Sequence, residues 1–182
     1  MFIKGVIDIP KIIKNIRGDI LRCAEIILKT DGYDAMSIRR IARECKSAVG
    51  TIYNYFDSKD DLVANIILKD WLDTVSGMTE LVKSSKSYAD GAVGIYLAIH
   101  KFESIYKNVW KQYSRTVGSH GVVMEHHMRL RTQVSSLLDV LAKNTGRERL
   151  RESSPIIAEA IIAATLQPDM NEFTIRRFAE LL

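Results

Sequence analysis

The chain has 182 residues, room for one large domain or a small one joined to a larger, and its 47% apolar content suffices for a substantial core beside 26% charged residues. No apolar run reaches the roughly 18 to 20 residues needed to span a bilayer, and the opening "MFIKGVIDIPKIIKNIRGDIL" has neither the clean apolar stretch nor the cleavage site of a signal peptide. A cytoplasmic protein without membrane contact is expected. Its net charge of +4 is too mild by itself to demand a nucleic-acid partner, and Cys23 and Cys45, without CxxC or Cys/His ligand spacing, argue against a disulfide framework or structural zinc site.

Taken in order, the chain reads as helical nearly throughout. Its three prolines fall at plausible boundaries, and no sustained alternation of period two argues for strands. The spacing of Ile20, Ala24, Ile27 and Leu28 predicts a first helix over about 17–30, with Gly32 suited to a left-handed C-cap. Ser37 suits the N-cap of a second, short helix through Glu44, with Ile38, Ile41 and Ala42 inward and Arg39, Arg40 and Arg43 outward. A third short helix is predicted over about 48–55. Ser58, followed by Asp60 and Asp61, then caps a long fourth helix whose apolar stripe runs from Leu62 to Val82. At about 1.5 Å per residue that helix approaches 40 Å, long enough to leave one bundle and enter another. The expected division is a head over 1–62 and a second helical bundle over 63–182, the boundary falling inside this helix.

In the second bundle, Tyr88, Ala92, Ile95, Tyr96, Ile99, Phe102 and Tyr106 mark one helix. Val109, Trp110, Tyr113 and Val117 predict a separate shorter one, broken around Gly118 and Gly121. Met124 to Leu141 marks a long helix closed by Gly146, and "SSPIIAEAIIAAT" opens another with Ser154 as cap and Pro155 in the first helical position. Pro168 ends it, and Asn171 caps a last helix carrying Phe173, Ile175, Phe178, Leu181 and Leu182.

Function is written most clearly in "CKSAVGTIYNYFDSKDDL". Two short helices with a tight turn between them and basic residues outside describe a helix-turn-helix, and residues 37–59 hold five basic residues against two acidic ones. Gly50 and Thr51 keep the leading edge of the third helix thin. Tyr53 and Tyr55 place hydroxyls on rigid stems within reach of phosphate oxygens, while Ile52 and Phe56 on the opposite face pack against Ile20, Ala24 and Ile41.

Residues 20–62 resemble the DNA-binding domain of the TetR/AcrR family: a "GY" after the first helix, a Ser-x-x-x-Ile-Ala second helix, and Gly-Thr-Ile-Tyr-x-Tyr-Phe-x-x-Lys-x-x-Leu follow in order. The resemblance implies an all-α protein with a three-helix DNA-binding head and a C-terminal bundle for effector binding and dimerisation. It further implies a homodimeric repressor of a palindromic double-stranded DNA operator, released by a small molecule, with no cofactor. Carried over by position, Ser37, Arg39 and Arg40, then Val49, Thr51, Tyr53, Asn54 and Tyr55, lie where DNA is contacted, and Lys59 matches a phosphate-binding lysine. The chain departs from the family at Lys46-Ser47-Ala48, where members carry Gly-Val-Ser. Lys46 would cost roughly 1 kcal/mol in the left-handed turn or shift it, while adding charge near the phosphates. Ser47 is the expected replacement cap. With the last helix, the Ala-rich "IIAEAIIAAT" resembles the family's dimer-forming pair.

Other features leave alternatives open. Trp71, Tyr96, His100, Phe102, Tyr106, Trp110, Tyr113, Met124 and Met128 suit the lining of an apolar or aromatic effector pocket, or plain core packing. Lys11, Lys14 and Arg17 suit a minor-groove arm or a solvated lead-in. His120, Glu125, His126 and His127 suggest a metal cluster, but adjacent helical histidines diverge by about 100° and make poor co-ligands, so surface histidines are expected. Cys45 lies between Arg43 and Lys46, where a reactive thiolate or an inert thiol both fit. No nucleophile elbow, phosphate loop or paired-carboxylate motif points to an enzyme. The competing function is a ligand- or redox-sensing helical binding protein whose head has lost specific DNA recognition, motivated by Lys46.

Overall fold

The computed structural model describes residues 15–116 and 120–182, apart from the side chains of Trp110 and of 113–126. Helices are the only regular elements among them. α1 (Ile16–Ala35) starts at Asn15, whose side chain accepts the Gly18 N–H, and Gly32 at φ 83° breaks its helical path before the last turn. α2 (Ile38–Glu44) begins on the predicted cap, Ser37 Oγ accepting the Arg40 N–H at 3.2 Å. α3 (Val49–Tyr53) is shorter than expected. α4 (Lys59–Ser84) has 26 residues, so about 39 Å of helix at 1.5 Å per residue. At its start, Ser58 Oγ accepts the Asp61 N–H at 3.0 Å and Asp61 Oδ2 accepts the Asp57 N–H at 3.0 Å, so the two side chains satisfy orphan donors on both sides of the helix start.

The remainder is α5 (Tyr88–Thr116), α6 (His120–Asn144), a 3₁₀ turn over Glu148–Ser153, α7 (Ser154–Thr165) and α8 (Glu172–Leu181). Two expectations are corrected here. The predicted break after Tyr106 does not occur: α5 continues through Thr116 because buried Val109 prolongs the stripe of Phe102 and Tyr106. Gly121 lies inside α6, and Gly118 lies outside the described residues. Nor does Ser154 cap α7. The 3₁₀ turn runs directly into the helix, so Ser154 is already helical at φ −52°, fully buried, with its hydroxyl on the Leu150 carbonyl at 3.4 Å. Asn171 caps α8 as predicted, accepting from the Phe173 and Thr174 amides.

Two apolar cores hold the molecule. The head core gathers Ile20, Ala24, Ile27, Ile41, Ile52, Phe56, Leu62 and Ile66, and α5 reaches into it with Phe102, Tyr106 and Val109. The second core joins α4 to α8 around Met78, Ile95, Ile99, Leu138, Ile161 and Ile175. α5 lies close to both neighbours because Gly91 and Gly94 face them: a Cβ there would meet Leu141 at 2.3 Å and Leu81 at 2.4 Å. The head is therefore clamped between α4 and α5, so a movement in the bundle has two rigid levers on it.

Candidate nucleic-acid interface

α3 stands on Ile52 and Phe56, which are buried against Ile20, Ala24 and Ile41. One residue either side of that seam, the chain turns outward: Val49, Tyr53, Asn54 and Tyr55 are exposed, Tyr53 by 53%, and Thr51 is half-exposed. A Cβ on Gly50 would meet nothing within 4 Å, so the leading edge of α3 opens on solvent. Arg39, Arg43 and Lys46 are exposed around it, although Arg43 also reaches Glu44 at 3.3 Å.

The turn before α3 keeps a left-handed residue. Lys46 has φ 52°, the Ser47 N–H donates to the Ala42 carbonyl at 2.8 Å, and the Lys46 N–H donates to Arg43 at 3.2 Å. These bonds close the C-terminus of α2 as a glycine there would. The expected cap is corrected: Ala48, not Ser47, occupies the N-cap and gives no side-chain bond, and Ser47 Oγ turns back to the Cys45 carbonyl at 3.5 Å.

Several basic residues are braced within the head. Arg40 pairs with Asp31 and donates to the Ala35 carbonyl at 3.2 Å, tying α2 to the kinked end of α1. The Lys59 ammonium lies 3.7 Å from the centre of the Tyr33 ring, whose hydroxyl donates to Asp60. Burial lowers the Lys59 pKa from its ordinary value, opposed by Asp34 and Asp60. Arg17 donates to Asn65 Oδ1 at 2.7 Å and stacks its guanidinium 5.1 Å from the Phe56 ring centre, so it buttresses the head core. Lys11 and Lys14 lie outside the described residues.

This surface is built from residues that match, over 20–66, the family model for bacterial regulatory proteins of the tetR family. Through this head, the chain belongs to the TetR family. The TetR-family regulator HbdR of an Aromatoleum species (strain CIB) is 39% identical over 72 residues, 40% of this chain and 31% of that protein. UidR of Escherichia coli K12 is 37% identical over 54 residues, 30% of this chain and 28% of its own length. The chain thus spans less than a third of the curated TetR-type relatives it matches. Solved structures extend the likeness of fold to both bundles. FadR from Bacillus subtilis, in complex with stearoyl-CoA, has a TM-score of 0.57 at 16% identity, covering 91% of this chain and 94% of that one. The TetR-family regulator SCO4454 from Streptomyces coelicolor has 0.54 at 21%, covering 90% and 92%.

The residues expected around an effector are mostly structural in this TetR-type bundle. Trp71 donates to Gln133 at 2.8 Å and meets Phe102 edge-on at 5.1 Å, while Phe102 tilts against Tyr106 at 5.0 Å. Tyr96 is buried, donates to the Met170 carbonyl at 3.1 Å and stacks on exposed His100. Met128 is exposed, and the side chains of Trp110, Tyr113 and Met124 lie outside the described residues. A cleft of about 360 Å³ instead opens between α4 and α5, floored by Met78, Leu81, Phe102 and Ile105 and edged by Asp70, Asp73 and Lys101. Of the nine expected lining residues, Phe102 alone borders it.

That cleft adjoins a three-helix junction which the sequence did not reveal. Tyr106, fully buried on α5, donates to Asp70 Oδ2 on α4 at 2.5 Å, and Lys29 on α1 meets the same oxygen at 2.5 Å. Burial opposes charge on Asp70, but the bonds from Lys29 and Tyr106 outweigh it and hold the carboxyl below its ordinary range. Burial and the same bond push the Tyr106 hydroxyl far up. His127 is 3.0 Å from both Glu159 oxygens, and the side chains of His120, Glu125 and His126 lie outside the described residues.

Proposed function

We propose that this chain is a transcriptional regulator that binds a palindromic operator as a homodimer and leaves it when a small molecule enters the second bundle. The observation that carries the reading is the two-sided third helix: Ile52 and Phe56 fix it to the core while Val49, Thr51, Tyr53, Asn54 and Tyr55 face out beside Arg39 and Lys46. A helix so supported can enter a major groove, and the exposed hydroxyls and cations can set register on phosphates. Lys59, held over Tyr33, is pre-oriented at the start of α4, where a phosphate also meets the helix's positive end. Because Lys46 adopts the left-handed turn, the departure from the family pattern costs strain without deforming the helix pair, so loss of DNA recognition is not favoured.

Dimerisation is supported by the outer face of α7 and α8. Ile156 (75%), Phe173 (71%) and Leu181 (86%) are exposed beside small Ala160 and Ala163, an apolar surface that a second copy would cover as a four-helix bundle. Twofold pairing would set two third helices 34 to 36 Å apart, or a multiple, along the duplex. The α4–α5 cleft suits a mainly apolar effector, and occupancy there would press on the Lys29–Asp70–Tyr106 junction between bundle and head. Coupling of about 1 to 3 kcal/mol would change operator affinity 5- to 150-fold.

The test is an anisotropy titration on DNA from upstream of the chain's own gene at several salt concentrations. Tyr53→Phe should weaken binding about 5- to 10-fold, the worth of one hydrogen bond to a charged phosphate. Lys59→Ala should weaken it with a salt slope shallower by about one unit per lost phosphate contact. Wild-type affinity and slope in both variants would discredit the interface.

A further inference from the structure

The chain's two cysteines, 22 positions apart in sequence, meet in the head. Cys23 lies on α1 between Ile20 and Ala24, and Cys45 ends α2 just after Ile41 and Ala42. Those four apolar residues pack in one core, which draws the thiols together until the Cys23 side chain hydrogen-bonds to that of Cys45. Both thiols are free and partly exposed, so a small oxidant can reach them.

Their position matters more than their proximity. Cys45 directly precedes Lys46, the left-handed hinge of the helix-turn-helix, and only Lys46, Ser47 and Ala48 separate it from α3. α3 has five residues and no side-chain cap, so little holds it independently of that turn. We propose that Cys23 and Cys45 are a peroxide-sensitive thiol pair whose disulfide disengages the DNA-reading helix. The proposal rests on the DNA-binding reading above and adds an input that acts on the head directly, separate from any effector in the second bundle.

The chemistry balances as a two-electron oxidation of the sulfurs by a hydroperoxide. The Cys45 thiolate, flanked by the cationic Arg43 and Lys46, attacks one peroxide oxygen; the O–O bond breaks and the departing hydroxide takes up a proton as water. The Cys23 sulfur then attacks the Cys45 sulfenic acid, the S–O bond breaks as the S–S bond forms, and the hydroxide leaves as water with the Cys23 proton. Two thiols and one hydrogen peroxide give one disulfide and two waters. Burial and its Cys45 neighbour raise the Cys23 thiol, which suits it to the resolving role. Closing the sulfurs from hydrogen-bond contact to about 2.05 Å also removes the Cys45 S–H bond to the Ile41 carbonyl, now 2.8 Å. The end of α2 and the turn must then shift together.

The experiment treats the full chain with hydrogen peroxide and reads two things separately: the linkage, by intact mass and peptide mapping, and affinity for upstream DNA, by anisotropy. The expected result is a mass loss of about 2 Da with Cys23 joined to Cys45 in one chain, at least a 5-fold fall in affinity, and recovery with dithiothreitol. The Cys23→Ser chain should form no intramolecular bond and should lack the dithiothreitol-reversible fall. Separate oxidation of the two thiols, or a linkage only between chains, would overturn the pair. A disulfide with unchanged affinity would overturn the switch. If the reduced chain binds no DNA, the proposed function fails and the switch with it, while the mass measurement still decides the disulfide.

Discussion

Lys46→Gly is the perturbation that most cleanly isolates the unusual turn. Lys46 sits at φ 52°, where a side chain crowds the backbone and costs about 1 to 2 kcal/mol relative to right-handed conformations. Glycine removes that strain but gains about 0.4 to 1 kcal/mol of freedom in the unfolded chain. The balance favours the variant by about 0.5 to 1 kcal/mol, a rise in Tm of about 1 to 4 °C for a chain of this length. Lys46→Ala is the control, because alanine keeps the strain and loses only the exposed charge. Thermal unfolding under reducing conditions should place the glycine variant above both the wild type and the alanine variant. Both variants should lose some operator affinity, with a shallower salt dependence, because each removes a cation beside the phosphates. A glycine variant no more stable than the alanine one would mean that the turn is not strained and that this account of the family departure is wrong.

Tyr106→Phe removes the bond to Asp70 and should destabilise the chain by about 1.5 kcal/mol at neutral pH in urea unfolding. Asp70's carboxyl is held below its ordinary value, so its contribution is complete above the unfolded carboxylate's pKa of about 4 and drains away as pH falls through the lower folded value. The variant's stability should therefore fall less steeply than the wild type's between pH 4 and lower values. Phe56→Ala empties a site 1% exposed beneath α3 and should cost about 3 to 5 kcal/mol, seen as lost operator binding with helical signal kept by the second bundle. Phe173→Asp combined with Leu181→Asp should convert the dimer to monomer in sedimentation equilibrium; an unchanged mass would place the interface elsewhere.

The head was legible because its signals are local. Ser37 and Ser58 cap the helices they precede, and the spacing of Ile52 and Phe56 against Tyr53 and Tyr55 separates inside from outside within one turn. Errors arose where tertiary context overrode a local cue. Ser47 and Ser154 have the right chemistry for caps, yet a left-handed turn and an incoming 3₁₀ turn place the caps one residue away. The break predicted after Tyr106 gave the glycines near 118 too much weight against an apolar stripe that continued to Val109. An aromatic stripe reads the same whether it lines a pocket or packs a core, which is why Trp71, Tyr96 and Tyr106 were expected around an effector and occur bonded to Gln133, Met170 and Asp70. The Lys29–Asp70–Tyr106 junction and the Cys23–Cys45 pair join residues from distant helices, and no periodicity announces such contacts.

Methylation interference at guanine N7 tests the central claim most directly, because N7 is presented in the major groove where α3 is placed. With DNA from upstream of the chain's own gene, methylated guanines in two symmetry-related half-sites should be excluded from the bound fraction, with the half-site centres about 10 base pairs or a multiple apart. A complex indifferent to N7 methylation at every guanine it covers would contradict insertion of this helix into the groove.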